Sequence, residues 1–375
     1  MREAIKINEV CFDKEEVRLI EEVLKSGILT NKNGMGPKVL EFERAFADYI
    51  GVKYSVAVSS GTAALHAALM ALDLKHKDEV ILPSLTFPAA AEAVVLTGAI
   101  PIFADVSEET YCIDVESIED SLSKNTKVII PVHLYGLPAD MDPIMKLAED
   151  NDIAVIEDGA QAHGALYKAR KVGSIGDMGC FSFYATKNMT TGEGGIVTSN
   201  NKEYVEALRA IRNHGESREN WNTRLGHNYR MSEIQAALGI AQLKKLPEFI
   251  EKRRNNAKRL SEELNDVNNL ILPKEPEGFT HAWNLYTVRV KGVNATRRNK
   301  IVAKLREKGI YATVYYETPT HLLPFYMGID DRRKKDLTKT EKIVHQIFSL
   351  PIHPKVSPED IEYMSKTLKK IMNKL

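Results

Sequence analysis

The chain has 375 residues, enough for a large domain with a sizeable buried core and a smaller second domain. Lysine plus arginine and aspartate plus glutamate both number 51, so the formal net charge is zero, which argues against general binding of nucleic acid or of anionic membranes. The three cysteines, Cys11, Cys112 and Cys180, are far apart without the paired spacing of metal ligands, so we predict reduced thiols and no metal site.

The N-terminal segment, residues 1–12, carries charges where a secretory signal needs an apolar run. The most apolar region, residues 80–104, is interrupted by Glu92 and by three prolines. We therefore expect no membrane span and a cytoplasmic location.

Short apolar runs alternate with helix-like spacers from about residue 54 to residue 199. The runs are rich in consecutive valine and isoleucine, which is typical of strands buried on both faces. They cover residues 54–60, 79–87, 100–106, 127–136, 153–160, 179–187 and 194–199. Strand and helix in alternation predict an α/β fold with a mostly parallel sheet covered by helices.

The pattern changes after about residue 230. A long charged helix follows, with Pro247 as a predicted kink or break. After it the sequence predicts a strand at 283–292, a helix at 297–309, a second strand at 310–317 and a terminal helix at 358–375. We therefore expect two domains, a large one at 1–245 and a small α+β domain at 246–375.

Ligands of open parallel sheets bind beyond the carboxyl ends of the strands, where three motifs lie. Ser59-Ser60-Gly61-Thr62 joins a strand to a helix, and its small residues and free N–H groups would cradle a phosphate. The alternative is a plain helix N-cap. Asp158 ends the run 153–157 and is either another cap or a functional anion, with Gln161 in reach of the same ligand.

Lys187 ends the run 179–187. A lysine at the end of a buried strand needs an interaction partner or a functional role. Desolvation would lower the pKa of its amine, which a Schiff-base nucleophile requires. The alternative is a surface lysine on a turn, because Thr190-Thr-Gly-Glu-Gly-Gly195 follows at once.

A phosphate cradle, a carboxylate and a lysine, in that order, are the parts that pyridoxal 5'-phosphate (PLP) requires. Here the chain resembles the fold-type I PLP-dependent transferases, and specifically the DegT/DnrJ/EryC1/StrS family of sugar aminotransferases. The matching segments lie in the family's order over most of the chain: SSGTAALHAAL, VILPSLTFPAAAEAV, GAIPIFADV, PVHLYGLPADM, VIEDGAQAHGA, GSIGDMGCFSFYATKNMTTGEGG, IRNHG, GHNYRMSEIQAALG and SLPIHP.

The resemblance implies a role for each matching residue. Lys187 is expected to hold PLP as a Schiff base and to move the proton at the substrate's α-carbon, while Asp158 pairs with the pyridinium nitrogen. The other expected contacts are Gln161 near the ring oxygen, Phe87 stacked on the ring, and Gly61, Thr62 and Ser182 on the phosphate. For Phe87 the alternative is a core side chain.

Asn228, in GHNYRM, is expected to reach the PLP phosphate of the neighbouring subunit, which implies a homodimer with shared active sites. The turn is expected to lie too far from its own Lys187 to share that site. Arg230 is expected either as a cation of the site or in a structural ion pair.

The substrates implied by the resemblance are an amino-acid donor, glutamate, and a keto sugar linked to a nucleotide. TTGEGG at 190–195 resembles members that aminate sugar C4, whereas VIEDGAQAHG at 155–164 resembles members that aminate C3. We favour C4, with a 3-keto sugar or a cyclitol as the alternative acceptor. The segment 26–39 has more residues than the usual form, which allows a changed pocket.

Three other classes compete with this interpretation. A DegT-type regulator needs a DNA-binding element, and the sequence shows neither a basic stripe nor a separate helix-turn-helix domain. Dehydratases of the family carry histidine where this chain has Lys187. A nicotinamide-binding Rossmann protein needs Gly-x-Gly-x-x-Gly after its first strand, which is missing here.

Overall fold

The computed structural model describes residues 3–329 and 337–374 as short strands and longer helices. The strands are β1 Tyr54–Val58, β2 Glu79–Pro83, β3 Ile100–Ala104, β4 Thr126–Ile129, β5 Ala154–Asp158, β6 Leu166–Tyr167, β7 Arg170–Lys171, β8 Met178–Ser182, β9 Gly195–Ser199, β10 Glu216–Arg218, β11 Trp221–Asn222, β12 Leu270–Ile271, β13 Phe279–Thr280, β14 Tyr286–Val290 and β15 Ile347–Leu350. The helices are α1 Lys14–Ser26, α2 Pro37–Ile50, α3 Gly61–Ala71, α4 Ala89–Leu96, α5 Val115–Glu119, α6 Met141–Asp150, α7 Lys202–Arg212, α8 Glu233–Leu264, α9 Ala295–Glu307, α10 Thr338–Val344 and α11 Pro358–Met372.

A seven-stranded sheet in the order β1-β9-β8-β5-β4-β2-β3 forms the centre of the fold. β9 is antiparallel to both its neighbours, and the other pairs are parallel. Each of the seven predicted apolar runs supplies one strand of this sheet. The predicted α/β fold with a mostly parallel sheet is therefore confirmed.

Successive side chains of a strand point to opposite faces of the sheet, and here both faces are packed against helices. Val128 of β4 packs in a cluster with residues of α3, α4 and α7, whereas the adjacent Ile129 packs in a second cluster with residues of α6. A third cluster joins α2 and the first part of α8 to the sheet. β5 and β8 are parallel neighbours in this sheet, so their carboxyl ends lie side by side at the same edge.

The helix α8 runs without interruption through Pro247, so the predicted break is wrong. Ser232 caps its start through a capping box, and side chains on both sides of the proline, such as Leu246 and Ile250, are buried. Tertiary packing of this kind outweighs the one backbone hydrogen bond that proline removes. Leu246 belongs to the third cluster, whereas Leu260 belongs to the core of the C-terminal part.

The C-terminal part contains the antiparallel sheet β12-β14-β15, with α9 and α11 packed in the same core. α9 and α11 agree with the helices predicted at 297–309 and 358–375. The strand predicted at 310–317 is wrong: Ile310 forms an isolated bridge with Ile5, and Thr313 forms another with Ser349. The segment changes partner between these two positions, so no continuous ladder forms.

Among residues 3–329 and 337–374, no helix combines the length and the apolar character that crossing a membrane requires.

Candidate active site

Gly61 and Ser182 meet at the edge of the sheet where α3 begins. The Ser60 side chain accepts a hydrogen bond from the Ala63 N–H at 3.0 Å, so it caps α3. A Cβ atom on Gly61 would lie 2.6 Å from the Cβ of Ser182, a separation that only glycine avoids. Thr62 follows in the first turn of α3 and is half-buried. The N-cap of the alternative interpretation is therefore present, and phosphate binding at the same helix N-terminus stays a prediction.

Asp158 lies at the carboxyl end of β5, and it is 7% exposed. Its Oδ1 accepts a hydrogen bond from the Ala160 N–H at 3.0 Å. Burial raises the pKa of this carboxyl, and the Ala160 hydrogen bond and the charges of Lys187 and His133 oppose that rise. A cation placed against the carboxylate would remove this desolvation penalty.

The adjacent Glu157 points to the opposite face of β5, as the alternation of a strand predicts. It is fully buried and accepts hydrogen bonds from backbone N–H groups, including those of Gly173 at 2.9 Å and Gly176 at 2.8 Å, and it contacts His133 Nε2 at 3.1 Å. Burial alone would raise the pKa of Glu157, but His133 and these N–H groups hold it below its usual value. Both carboxylate oxygens of Glu157 thus accept hydrogen bonds from the protein, whereas Asp158 accepts one, from Ala160.

Lys187 lies on a turn five residues beyond β8, not at the end of a strand. The predicted strand 179–187 stops at Ser182 because its partner β9 begins at Gly195, which pairs with that residue. The Lys187 N–H donates to the Tyr184 carbonyl at 2.9 Å, closing the turn, and Asn8 donates to the Ala185 carbonyl at 3.3 Å.

This lysine is nonetheless not a free surface group. It is half-buried, and it lines a small cavity with Asn8, Cys11 and Arg253. Burial lowers the pKa of the Lys187 amine, while the Asp158 charge acts in the opposite direction. The two charges therefore interact, and the amine is easier to deprotonate than that of free lysine.

Gln161 is buried between two tyrosines that sequence reasoning missed. Its Oε1 accepts from the Tyr135 N–H at 2.7 Å, and its Nε2 donates to the Tyr316 hydroxyl at 2.8 Å. The two rings stack with centroids 6.1 Å apart. The positive φ of Tyr135, 59°, marks a special turn before Gly136, which the LYG sequence could have signalled. Tyr316 was hidden in the segment predicted as a strand.

The side chain of Phe87 is 63% exposed, so the core alternative for this residue is wrong. The loop that carries it is anchored from the C-terminal part of the chain. The Thr320 N–H donates to the Ser84 carbonyl at 2.9 Å, and the Thr320 hydroxyl donates to the Thr86 carbonyl at 3.1 Å. An exposed ring on an anchored loop is available for stacking on a ligand.

Asn228 is exposed, although its segment touches the cradle of the same chain: the Ser59 N–H donates to the Tyr229 carbonyl at 2.8 Å. The half-buried Arg230 donates to Asn213 Oδ1 at 2.8 Å, a neutral partner. Among the described residues it has no acidic partner within 4.0 Å, so the ion-pair alternative finds no support there.

Two further buried groups lie near Lys187 that the sequence did not single out. His163 is fully buried, with its ring centroid 5.4 Å from that of Phe181 and 5.6 Å from that of Phe183. Burial, with the Lys187 charge, lowers the His163 pKa to about 3, so the ring is neutral. Arg253 is buried among neutral oxygens at 3.2–3.3 Å, and burial lowers its pKa to about 10.

The model of the DegT/DnrJ/EryC1/StrS aminotransferase family matches residues 10–369. The chain belongs to this family. It is 37% identical to GDP-perosamine synthase of Caulobacter vibrioides over 91% of each chain. It is 36% identical to UDP-N-acetyl-3-dehydro-alpha-D-glucosamine 3-aminotransferase of Acidithiobacillus ferrooxidans over 90% of each. The PLP form of Spr1654 from Streptococcus pneumoniae superposes with a TM-score of 0.92 at 29% identity, covering 99% of both chains.

The protein is therefore a PLP-dependent aminotransferase with the fold of the fold-type I enzymes. Its own residues fit the cofactor. The cradle at Gly61 is closed to any larger residue, Asp158 is a buried carboxylate that a cation would stabilise, and Lys187 is an amine with a lowered pKa. Within the described ranges no three acidic, histidine or cysteine side chains are grouped to hold a metal ion.

Proposed function

We propose that the enzyme transfers an amino group from glutamate to a nucleotide-linked 4-keto-6-deoxy sugar. The support for a sugar acceptor is the similarity to the two sugar-modifying relatives, whose names cite perosamine and a 3-dehydro-glucosamine. The segment 190–195, TTGEGG, favours amination at C4. A 3-keto sugar is the second candidate, because the 3-aminotransferase is nearly as similar as the perosamine synthase.

The observation that carries the catalytic part of this proposal is the meeting of three dissimilar groups at one edge of the sheet. Gly61 with Ser182 offers an anion cradle, Asp158 offers an unsaturated buried carboxylate, and Lys187 offers an amine of lowered pKa within electrostatic range of that carboxylate.

The residue roles follow from these positions. Bound PLP supplies an aldehyde that exchanges amines and a ring that withdraws electrons from the substrate's α-carbon. We propose that the buried Asp158 holds the proton at the ring nitrogen through a charge-assisted hydrogen bond. Gly61, Thr62 and Ser182 bind the phosphate, Phe87 stacks on the ring, and Gln161 orients it near the ring oxygen.

Lys187 has two roles in the proposal. Its Nζ holds the cofactor between turnovers, and once released it takes and returns the proton at the substrate's α-carbon. The lowered pKa of this amine suits both roles, because a neutral amine is needed for attack and for proton removal.

The test separates donor and acceptor. The PLP-loaded enzyme is mixed with glutamate, and the absorbance of the bound cofactor reports amino transfer from the donor. The aminated enzyme is then offered matched panels of nucleotide-linked 4-keto-6-deoxy sugars, 3-keto sugars and keto cyclitols. Return of the original absorbance only with 4-keto sugars supports the proposal, and return only with another panel refutes the C4 assignment.

We also propose that the enzyme is a homodimer with shared active sites, in which Asn228 of the partner subunit contacts the PLP phosphate. The exposure of Asn228 on the isolated chain supports this arrangement, as a two-fold axis would exchange the same loop in both directions.

Mixing two inactive chains tests the shared site. Lys187→Ala chains and Asn228→Ala chains are combined and allowed to exchange subunits. One site of each heterodimer then carries both lesions and the other carries neither, so each heterodimer should regain about half of the activity of a wild-type dimer. No recovery after verified exchange, or a fully active monomer in sedimentation, contradicts shared sites.

For the domains, we propose a large PLP-binding unit at 1–245, with an N-terminal arm, and a small unit at 246–375. The separate C-terminal core of β14, β15, α9 and α11 supports two units, and α8 contributes to both.

A further inference from the structure

A second set of contacts ties α3, the helix of the phosphate cradle, to the segment 227–229. His66 lies on α3, is 4% exposed, and its Nδ1 is 2.9 Å from the Tyr229 hydroxyl. The His227 ring stacks on the Tyr229 ring with centroids 4.7 Å apart and an interplanar angle of 16°. The Ser59 N–H also donates a hydrogen bond to the Tyr229 carbonyl. Tyr229 is therefore held both at its backbone carbonyl and at its side-chain hydroxyl.

The backbone of this segment is held as an extended chain. The His227 N–H donates to the Ile211 carbonyl at 2.7 Å, and the Tyr229 N–H donates to the Arg212 carbonyl at 3.0 Å. Side chains of an extended chain alternate in direction. Because the rings of residues 227 and 229 face α3, the Asn228 side chain points away from its own cradle, in agreement with its exposure.

The protonation states suit a lasting hydrogen bond. Burial, and secondarily the nearby His227, lowers the His66 pKa to about 4, so its ring is neutral at neutral pH and its Nδ1 can accept a hydrogen bond. Burial raises the pKa of the Tyr229 hydroxyl, which therefore stays protonated and donates.

We infer that His66 and Tyr229 are positioning residues that align Asn228 with the phosphate of the partner's cofactor and so couple the two cradles of the dimer. Phosphate bound at the first turn of α3 in one chain holds that helix, and His66, five residues along it, holds Tyr229. The adjacent Asn228 is then fixed for the partner's site. This inference rests on the proposed shared active site, and it predicts that PLP binds to the two sites cooperatively.

PLP titration of the full-length dimer, stripped reversibly of cofactor, tests the coupling. The wild type should bind PLP with a Hill coefficient above that of independent sites. Tyr229→Phe removes only the hydroxyl, and it should weaken PLP binding about five- to tenfold and abolish the cooperativity, as expected for a lost buried hydrogen bond. Tyr204→Phe is the matched control, because Tyr204 packs against the same core cluster without touching this contact.

A double-mutant cycle distinguishes positioning from general support of the fold. If Tyr229 acts through Asn228, Tyr229→Phe should change PLP affinity by less than about twofold in an Asn228→Ala background. The same loss in both backgrounds overturns the inference. His66→Asn, which keeps a hydrogen-bonding atom near Nδ1, should retain cooperativity, whereas His66→Leu should lose it.

The outcome is separable from that of the proposed function. If mixed Lys187→Ala and Asn228→Ala chains recover activity but Tyr229→Phe binds PLP like the wild type, the shared site stands and the coupling fails. If the mixed chains do not recover, the shared site itself fails.

Discussion

Replacing Gly61 by alanine puts a methyl group into the phosphate cradle. The new Cβ would lie 2.6 Å from Ser182 Cβ, whereas non-bonded carbons rest about 3.5–4.0 Å apart, so one group must move by about 1 Å. Overpacking of this kind costs about 1–3 kcal/mol. The better helix propensity of alanine offsets up to about 1 kcal/mol, which leaves an expected net loss of about 0–2 kcal/mol if the offset is complete.

Two measurements test the effect of Gly61→Ala, one on stability and one on PLP affinity. Chemical denaturation of the cofactor-free protein gives the free energy of unfolding, and PLP titration gives the affinity, which should fall about tenfold or more if bound phosphate requires the same space. Gly328→Ala is the matched control, since its added Cβ meets nothing within 4 Å. The control should be neutral or stabilising by about 0.4–1 kcal/mol.

A second variant examines the cause. Ser182→Gly removes two of the three atoms nearest to the new methyl group, at 2.6 and 3.1 Å. In that background Gly61→Ala should cost less stability, because the collision has been removed. Unchanged stability and unchanged PLP affinity in the single Gly61→Ala variant would refute the cradle.

Three further predictions concern the two charged groups. Borohydride reduction of the holoenzyme followed by peptide mapping should find the pyridoxyl group on Lys187, and labelling of another lysine would overturn the assignment. Asp158→Asn should slow the glutamate half-reaction by about 10²–10³ while leaving the circular dichroism unchanged, and near wild-type rates would disprove the role. Because burial holds the Lys187 pKa below 10.5, the unfolded chain binds more protons than the folded cofactor-free chain between the lowered pKa and 10.5. The free energy of unfolding of the wild type should therefore rise with pH across that window relative to Lys187→Met, and parallel curves would contradict the lowered pKa.

The central sheet was predictable because strands buried on both faces leave uninterrupted apolar runs, and the polar residues that follow them mark its functional edge. The hydrogen-bond partners of Gln161 were not predictable from the sequence, because Tyr135 and Tyr316 come together only in the folded chain. A break at Pro247 did not form because propensity is local, whereas packing on both sides of the proline keeps α8 continuous. The segment 310–317 has a strand-like composition, but its possible partners lie on different parts of the chain.

The course of α8 through both cores governs how members of this family can be recombined. A chimera joined at residues 245 and 246 would fuse two foreign halves of one 32-residue helix, and the grafted half would have to match side chains that it never packed against. A junction after Leu264, in the connection before β12, keeps the helix whole and with its native neighbours α1 and α2, but it sets Leu260 and Leu264 against a foreign α11. A graft of the C-terminal part at either junction should therefore also carry matched side chains on the face of α8 that it contacts.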